Sequence, residues 1–291
     1  MREPARRNRR IEERPDRTLA RELAGFRSTH QKKHLYSGLA RWDYLVGGRG
    51  ERTLLLLGAG TAVAESWFKQ FSDFEQDYRI IAPDYPAETT IHALVDGLLK
   101  ILAEEKTAAV TILGASFGGM LAQCLVREHP ENVSKLILAN TTFPNRLYAL
   151  RLRRNLLFMK LTPWVLMRGA SRARAVRLLN APIEERRFWE AFYREKFGEQ
   201  IDKRQLVAIE QCMIDYSSHY RFAPGELSEW AGSILIIESD TDPFFKGRVN
   251  LKALYPRAKV HTFFGAGPMP SVSRREQFNA VVRSFLARNQ G

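Results

Sequence analysis

Five consecutive residues, Gly114-Ala115-Ser116-Phe117-Gly118, set a serine between two glycines. A serine hydroxyl is a weak nucleophile at neutral pH. It becomes a useful one when a tight turn exposes it, a base takes its proton, and donors await the charge that develops on the attacked oxygen. The two glycines remove side chains that would collide across a sharp strand-to-helix turn, and Gly119 follows them. Before the serine, Ala108–Leu113 (AAVTIL) reads as a buried strand; after it, Phe117–Arg127 reads as a helix. This is the geometry of a nucleophile elbow. The Phe117 N–H then lies at a helix N-terminus, where it can serve an oxyanion.

A second oxyanion donor is expected from the loop after Leu57, Gly58-Ala59-Gly60-Thr61-Ala62, and Gly60 is the candidate. The competing reading is that these glycines only make a tight strand-to-helix connection.

The elements that must position these groups alternate. Strands are expected at Arg41–Val46, Thr53–Leu57, Arg79–Ala82, Ala108–Leu113, Lys135–Ala139, Ile234–Ile237 and Val260–Phe264. The later ones are nearly continuous hydrophobes, as parallel strands covered on both faces require. Helical patterns lie between them, among them Ile91–Leu102 and Arg274–Leu286. The fold class is therefore α/β, a mostly parallel, doubly wound sheet with ligands at the carboxyl ends of its strands. Residues 141–215 contain helical runs such as Arg146–Met159 but no convincing strand, which predicts a helical cap inserted into a core of 34–140 and 216–291. Thr107–Val126 has no charge and is long enough to resemble a membrane span. Its glycines, placed where β-branched residues give way to helix formers, favour a buried strand turning into a buried helix.

From Arg52 to Leu286 the chain resembles the α/β-hydrolase superfamily. The likeness rests on the glycine loop, Ala82-Pro83-Asp84-Tyr85-Pro86, the Ser116 elbow, the strand and turn Ile234–Pro243, and the turn Phe264–Val272. It implies a catalytic acid after the strand that ends in Glu238-Ser239-Asp240-Thr241-Asp242-Pro243, with Asp242 as the candidate and Asp240 as the fallback. Either aspartate also suits a turn before proline. The resemblance further implies a histidine in the turn after the last strand. That turn reads Gly265-Ala266-Gly267-Pro268-Met269-Pro270, and the base position falls on Pro268, which cannot accept a proton. His261 starts the last strand, roughly 23 Å from the turn at about 3.3 Å per residue. His92 and His129 fall beside helix ends, and His30 and His34 belong to the N-terminal arm or its junction. His219 is the one plausible substitute. Within the superfamily the chain looks most like maspardin-like members, which share the Gly-Ala-Ser-Phe-Gly-Gly elbow, Tyr85-Pro86 and the absent histidine.

Two functions follow as expectations. The first is a non-catalytic or impaired hydrolase that uses the pocket over Ser116 to bind a small apolar acyl-type ligand or a protein partner. The second is an active serine hydrolase, cleaving an ester, thioester or amide of an apolar acyl group with Ser116, Asp242 and a displaced base. Neither calls for a cofactor or a metal.

Charge adds a third possibility. The net charge is +13, yet it sits in two places: residues 1–33 hold 11 Lys/Arg against 5 Asp/Glu, and residues 141–215 hold 15 against 8. The remainder holds 19 against 19, which argues against nucleic-acid binding through the main surface. Residues 1–33 read as a disordered or loosely helical basic arm, or else as an electrostatic tether. Arg146–Arg177 mixes Arg and Lys with Leu, Phe, Met and Trp164, so it either packs its apolar stripe on the core or lies on an anionic membrane surface. The arm lacks an apolar secretory core, and its acids count against a mitochondrial leader. Two cysteines, Cys124 and Cys212, suggest neither a disulfide framework nor a metal cluster, and a reducing cytoplasmic setting is expected, with membrane contact confined to the periphery.

Overall fold

The computed structural model describes residues 15–61, 63–242 and 249–287. Its centre is a sheet of eight strands: β1 (Lys33–Ser37), β2 (Ala40–Gly47), β3 (Thr53–Leu57), β4 (Arg79–Pro83), β5 (Val110–Ala115), β6 (Val133–Ala139), β7 (Ser233–Ser239) and β8 (Lys259–Phe263). They lie in the order β1-β2-β4-β3-β5-β6-β7-β8. The β1–β2 and β2–β4 pairs are antiparallel and the rest are parallel. Every residue of β3 and β5 is buried, as the unbroken apolar runs require of central strands covered on both sides.

Helices cover both faces. In chain order they are α1 (Pro15–Thr29), α2 (Phe68–Phe74), α3 (Ile91–Glu104), α4 (Phe117–Glu128), α5 (Arg146–Leu161), α6 (Trp164–Leu179), α7 (Arg186–Glu199), α8 (Lys203–His219), α9 (Val249–Leu254), α10 (Pro270–Ser273) and α11 (Arg275–Leu286). Side chains cap several of them. Thr90 accepts from the Ala93 N–H at the start of α3, Asn145 from Leu147 and Tyr148 at α5, and Asp202 from Gln205 at α8. Pro163 stops α5 from running on and opens α6; α5 then packs on α8 and α6 on α7.

The charge-free stretch resolves into β5 and α4, as its glycines indicate. The expected strand Ala108–Leu113 lies two residues further on, at Val110–Ala115. The helical insertion between β6 and β7 comprises α5 to α8 and extends to His219, past the expected limit at 215.

The arm is corrected more substantially. Residues 1–14 lie outside the described residues, but Pro15–Thr29 forms a regular helix rather than a loose arm. Leu19, Leu23 and Phe26 recur on one face of α1 and are buried against α2 and α7. The Phe26 ring stands edge-on to Phe71 with centroids 5.3 Å apart. Arg27 donates to Glu65 at 2.7 Å and pairs with Glu195 on α7. Lys33 already belongs to β1, a strand with too few apolar residues to announce itself. Burial of the α1 stripe supplies what a free arm lacks, since a fully buried Leu or Phe gains about 1.5–3 kcal/mol over an exposed one.

Candidate active site

Ser116 stands between β5 and α4 with φ 52° and ψ −114°, a backbone conformation that residues with a side chain avoid. The surroundings hold it there. Its N–H donates to the Ala139 carbonyl at 2.9 Å, and its own carbonyl accepts from the Thr141 hydroxyl at 2.7 Å. The glycines are required by close approach. A Cβ on Gly118 would lie 2.2 Å from the Leu57 carbonyl oxygen, and one on Gly114 would lie 2.6 Å from that of Gly118. The elbow thus wedges α4 against the end of β3, and the Gly118 N–H donates to the Gly58 carbonyl at 2.9 Å.

The two expected oxyanion donors lie close together. A Cβ built on Gly60 would be 4.0 Å from the Phe117 Cβ and only 2.9 Å from Ile209 Cγ2 on α8. Both readings of Gly60 therefore have a physical basis, since a side chain there would strike α8. Ala62, at the end of that loop, lies outside the described residues. Below the loop, the buried Tyr85 ring stands edge-on to Phe117 at 5.5 Å, and its hydroxyl donates to the Gly58 carbonyl at 3.3 Å. Burial pushes the Tyr85 phenol well above its ordinary pKa, so it stays a neutral donor. Gln205 on α8 donates to the Tyr85 carbonyl at 2.9 Å, tying the helical insertion to the same corner.

Asp242 is buried just beyond β7, while Pro243 lies outside the described residues. Its carboxylate accepts from Asn140 Nδ2 at 2.7 Å. Asn140 directly follows β6 in a left-handed conformation, φ 48°, and the same nitrogen reaches the Gly267 carbonyl at 3.4 Å. The two candidate acids thus have different surroundings. Asp240 is exposed, and its carboxylate accepts from the Gly265 N–H at 2.7 Å, while the Thr241 hydroxyl accepts from the Gly267 N–H at 3.0 Å. Those two residues shape the turn that contains Pro268. From the other side, Asn180 caps α6 with φ 48° and donates to the Ala266 carbonyl at 3.1 Å.

Each of the six histidine rings is engaged elsewhere. His219 is largely exposed and bonds Asp215 at 2.7 Å, one turn back on α8. The other carboxylate oxygen of Asp215 accepts from the Ile91 N–H, at the start of α3. His30 meets Glu75, His92 lies between Asp96 and Glu128, His129 faces Glu131, and His34 and His261 stand beside Tyr36 and Phe263 on their own strands. None of these contacts is with Ser116 or Asp242. Among the described residues, the Ser116 hydroxyl forms no hydrogen bond, and no group of three or more His, Cys, Asp or Glu could hold a metal ion.

Sequence reasoning missed Asn140 and Asn180. The signal was modest: asparagine tolerates the left-handed region better than most residues, and each closes an element. Two clefts of about 250 Å³ lie away from the elbow. One, between α1 and α2, is lined by Glu22, His30, Lys69 and Glu75 among others; the other lies beside Pro182 and Arg274.

Comparison with known proteins agrees with this geometry. The family model of the alpha/beta hydrolase fold matches residues 52–274. Epoxide hydrolase 4 of Homo sapiens is 31% identical over 121 residues, 38% of this chain. The match spans only 33% of that protein's length. Among solved structures, a hydrolase from Pseudomonas aeruginosa superposes with a TM-score of 0.74 at 18% identity, covering 89% of this chain and 99% of that one. A 2-hydroxy-6-oxo-6-phenylhexa-2,4-dienoate hydrolase from Rhodococcus gives 0.71 at 18% identity, with the same coverage.

Proposed function

This chain belongs to the α/β-hydrolase family, and we propose that within it the protein binds a ligand or partner at the retained elbow while hydrolysing slowly or not at all. The observation that carries the reading is the amide of Asn140 on the carboxylate of Asp242, 2.7 Å away. In a proton relay that carboxylate orients an imidazole, and here one of its partners is an amide, which can neither take nor pass on a proton at neutral pH. The neighbouring turn supplies Pro268 where the sequence resemblance implies the base. Ser116 then keeps its strained presentation and its helix-terminal donor, but nothing among its described contacts raises its nucleophilicity. The likeness to maspardin-like members belongs to the same proposal.

The site suits a small ligand with an apolar acyl group and one oxygen to place near the Phe117 N–H. The Asn140 side-chain carbonyl is buried with no hydrogen-bond partner among the described residues.

A fluorophosphonate probe and short p-nitrophenyl esters test this, applied to the unmodified protein, Ser116→Ala and Pro268→His. The expected result is little probe labelling and no Ser116-dependent turnover in the unmodified protein. Enzyme-like turnover lost in Ser116→Ala would overturn the proposal and favour the active hydrolase.

A further inference from the structure

Helix α5 and the start of α6 present an outward apolar surface that the fold does not use. On α5, Leu147, Leu150, Leu157, Phe158 and Leu161 are all exposed, from 58% to 78%. At 3.6 residues per turn they fall within an arc of about 100°. The opposite side of α5 is the one that packs, through Ala149 and Leu152 and through Asn155, which donates to Glu210 on α8 at 2.7 Å. The helix is therefore apolar on two faces, and the core explains only one. Val165 and Leu166, just past Pro163 at the start of α6, are exposed as well, at 73% and 66%.

The charges carried by these two helices have a single sign, with Glu210 of α8 the acid that meets them, at Asn155 and near Arg174. Residues 132–183 contain no Asp or Glu, while α5 and α6 together carry nine Arg and Lys. None of the nine forms an ion pair with a described residue. On α5, Arg146, Arg153 and Lys160 lie to one side of the apolar arc, Arg151 to the other and Arg154 within it, and all five are exposed.

From this juxtaposition we propose that α5, with the start of α6, docks the protein on the interface of an anionic lipid bilayer, with Leu157, Phe158 and Leu161 entering the acyl boundary. The charge pattern selects this occupant. A second copy of the chain would bring one unpaired cationic face against another, which is repulsive. A lipid surface supplies anionic headgroups to the flanking arginines and a fluid apolar phase to the leucines, and long basic side chains reach back to the headgroups while their stems stay in apolar contact. No helix among the described residues is long and apolar enough to cross a membrane, so the contact is peripheral in geometry. This docking stands apart from the proposal for Ser116.

Sedimentation of the full chain with vesicles of phosphatidylcholine alone, or with about one third phosphatidylglycerol, tests it. The expected result is binding to the anionic vesicles at least tenfold stronger than to the neutral ones, weakened by high salt. The triple variant Leu157→Ser/Phe158→Ser/Leu161→Ser is expected to lose most of that binding. Arg153→Gln/Arg154→Gln/Lys160→Gln is expected to lose the preference for anionic lipid. These positions are exposed, so unchanged thermal melts establish that both variants fold. Undiminished binding in the apolar triple variant would overturn the proposal. So would loss of binding on removing residues 1–14 alone, or dimerisation by light scattering that the apolar variant abolishes.

Discussion

Asn140 Nδ2 lies 2.7 Å from Asp242 Oδ2, joining the ends of β6 and β7 directly beneath the turn that carries Pro268. The two residues are 102 positions apart in the chain. Asn140→Ala should remove a hydrogen bond to a buried carboxylate, worth roughly 1.5–3 kcal/mol, and add about 1 kcal/mol for placing alanine at positive φ. Asn140→Gly keeps the first loss and spares the second. Urea denaturation of the three proteins should rank them unmodified, glycine, alanine, in falling order; equal stability of all three would show that the amide does not hold Asp242.

The strain at Ser116 gives a second expectation. With φ 52° the position favours a residue without a Cβ. Ser116→Gly should therefore be more stable than Ser116→Ala by about 1–2 kcal/mol, the scale of a left-handed backbone penalty. Thermal melts of the two variants measure the difference. An alanine variant as stable as the glycine one would mean that the elbow is relaxed.

Gly118 tests the wedge between the elbow and β3. The Leu57 and Gly58 carbonyls that a new Cβ would strike are backbone atoms, 2.2 and 2.7 Å away, and they cannot rotate aside. Gly118→Ala should cost at least about 3 kcal/mol, at the upper end of overpacking penalties. A cooperative melt within a degree or two of the unmodified protein would contradict this packing.

The docking of α1 predicts an acid sensitivity. Burial alone would raise the Glu65 carboxyl, but hydrogen bonds and charge from Lys196 and Arg27 outweigh it and hold the group below the usual glutamate range. A carboxyl depressed on folding contributes stability that is complete above its unfolded pKa of about 4.3 and is lost as pH falls through the folded value. Glu65→Gln should therefore be less stable than the unmodified protein near pH 7, by roughly 1–3 kcal/mol given that Arg27 is a third exposed. The gap should narrow steadily below about pH 4. A gap that stays constant from pH 7 to pH 3 would separate Glu65 from the ion cluster.

Phe26→Ala, in the same helix, should cost about 3–5 kcal/mol, because the ring is buried against Phe68 and Phe71. Truncation of a free arm would cost nothing measurable, so chemical denaturation distinguishes the two directly.

Much of the core was legible because its signals are local. Five residues specify the elbow, since the clashes that demand Gly114 and Gly118 arise within one strand-to-helix turn and the loop it touches. The runs TLLLL and ILII could only be strands covered on both sides. The turn after β7 was likewise readable from Asp240 and Asp242, two positions apart before a proline. What escaped was either weak or distant. β1 has the alternation of an edge strand over only five residues, KHLYS. Leu19, Leu23 and Phe26 do recur at helical spacing, but the arginines around them obscure the stripe, and only α2 and α7 make it worth burying. Asn140 looks like an ordinary residue at the end of a strand until β7 is laid beside β6.

By itself, then, the sequence determined the α/β-hydrolase fold, the serine on its elbow and the proline in the turn after the last strand. Each follows from short-range sterics or from the burial of a single apolar run. Tertiary structure alone decided that α1 belongs to the core, that one face of α5 remains uncovered, and that an amide meets Asp242. Those outcomes depend on which surfaces come together across separations of 38 to 168 residues, where packing and charge pairing between distant elements outweigh any local preference.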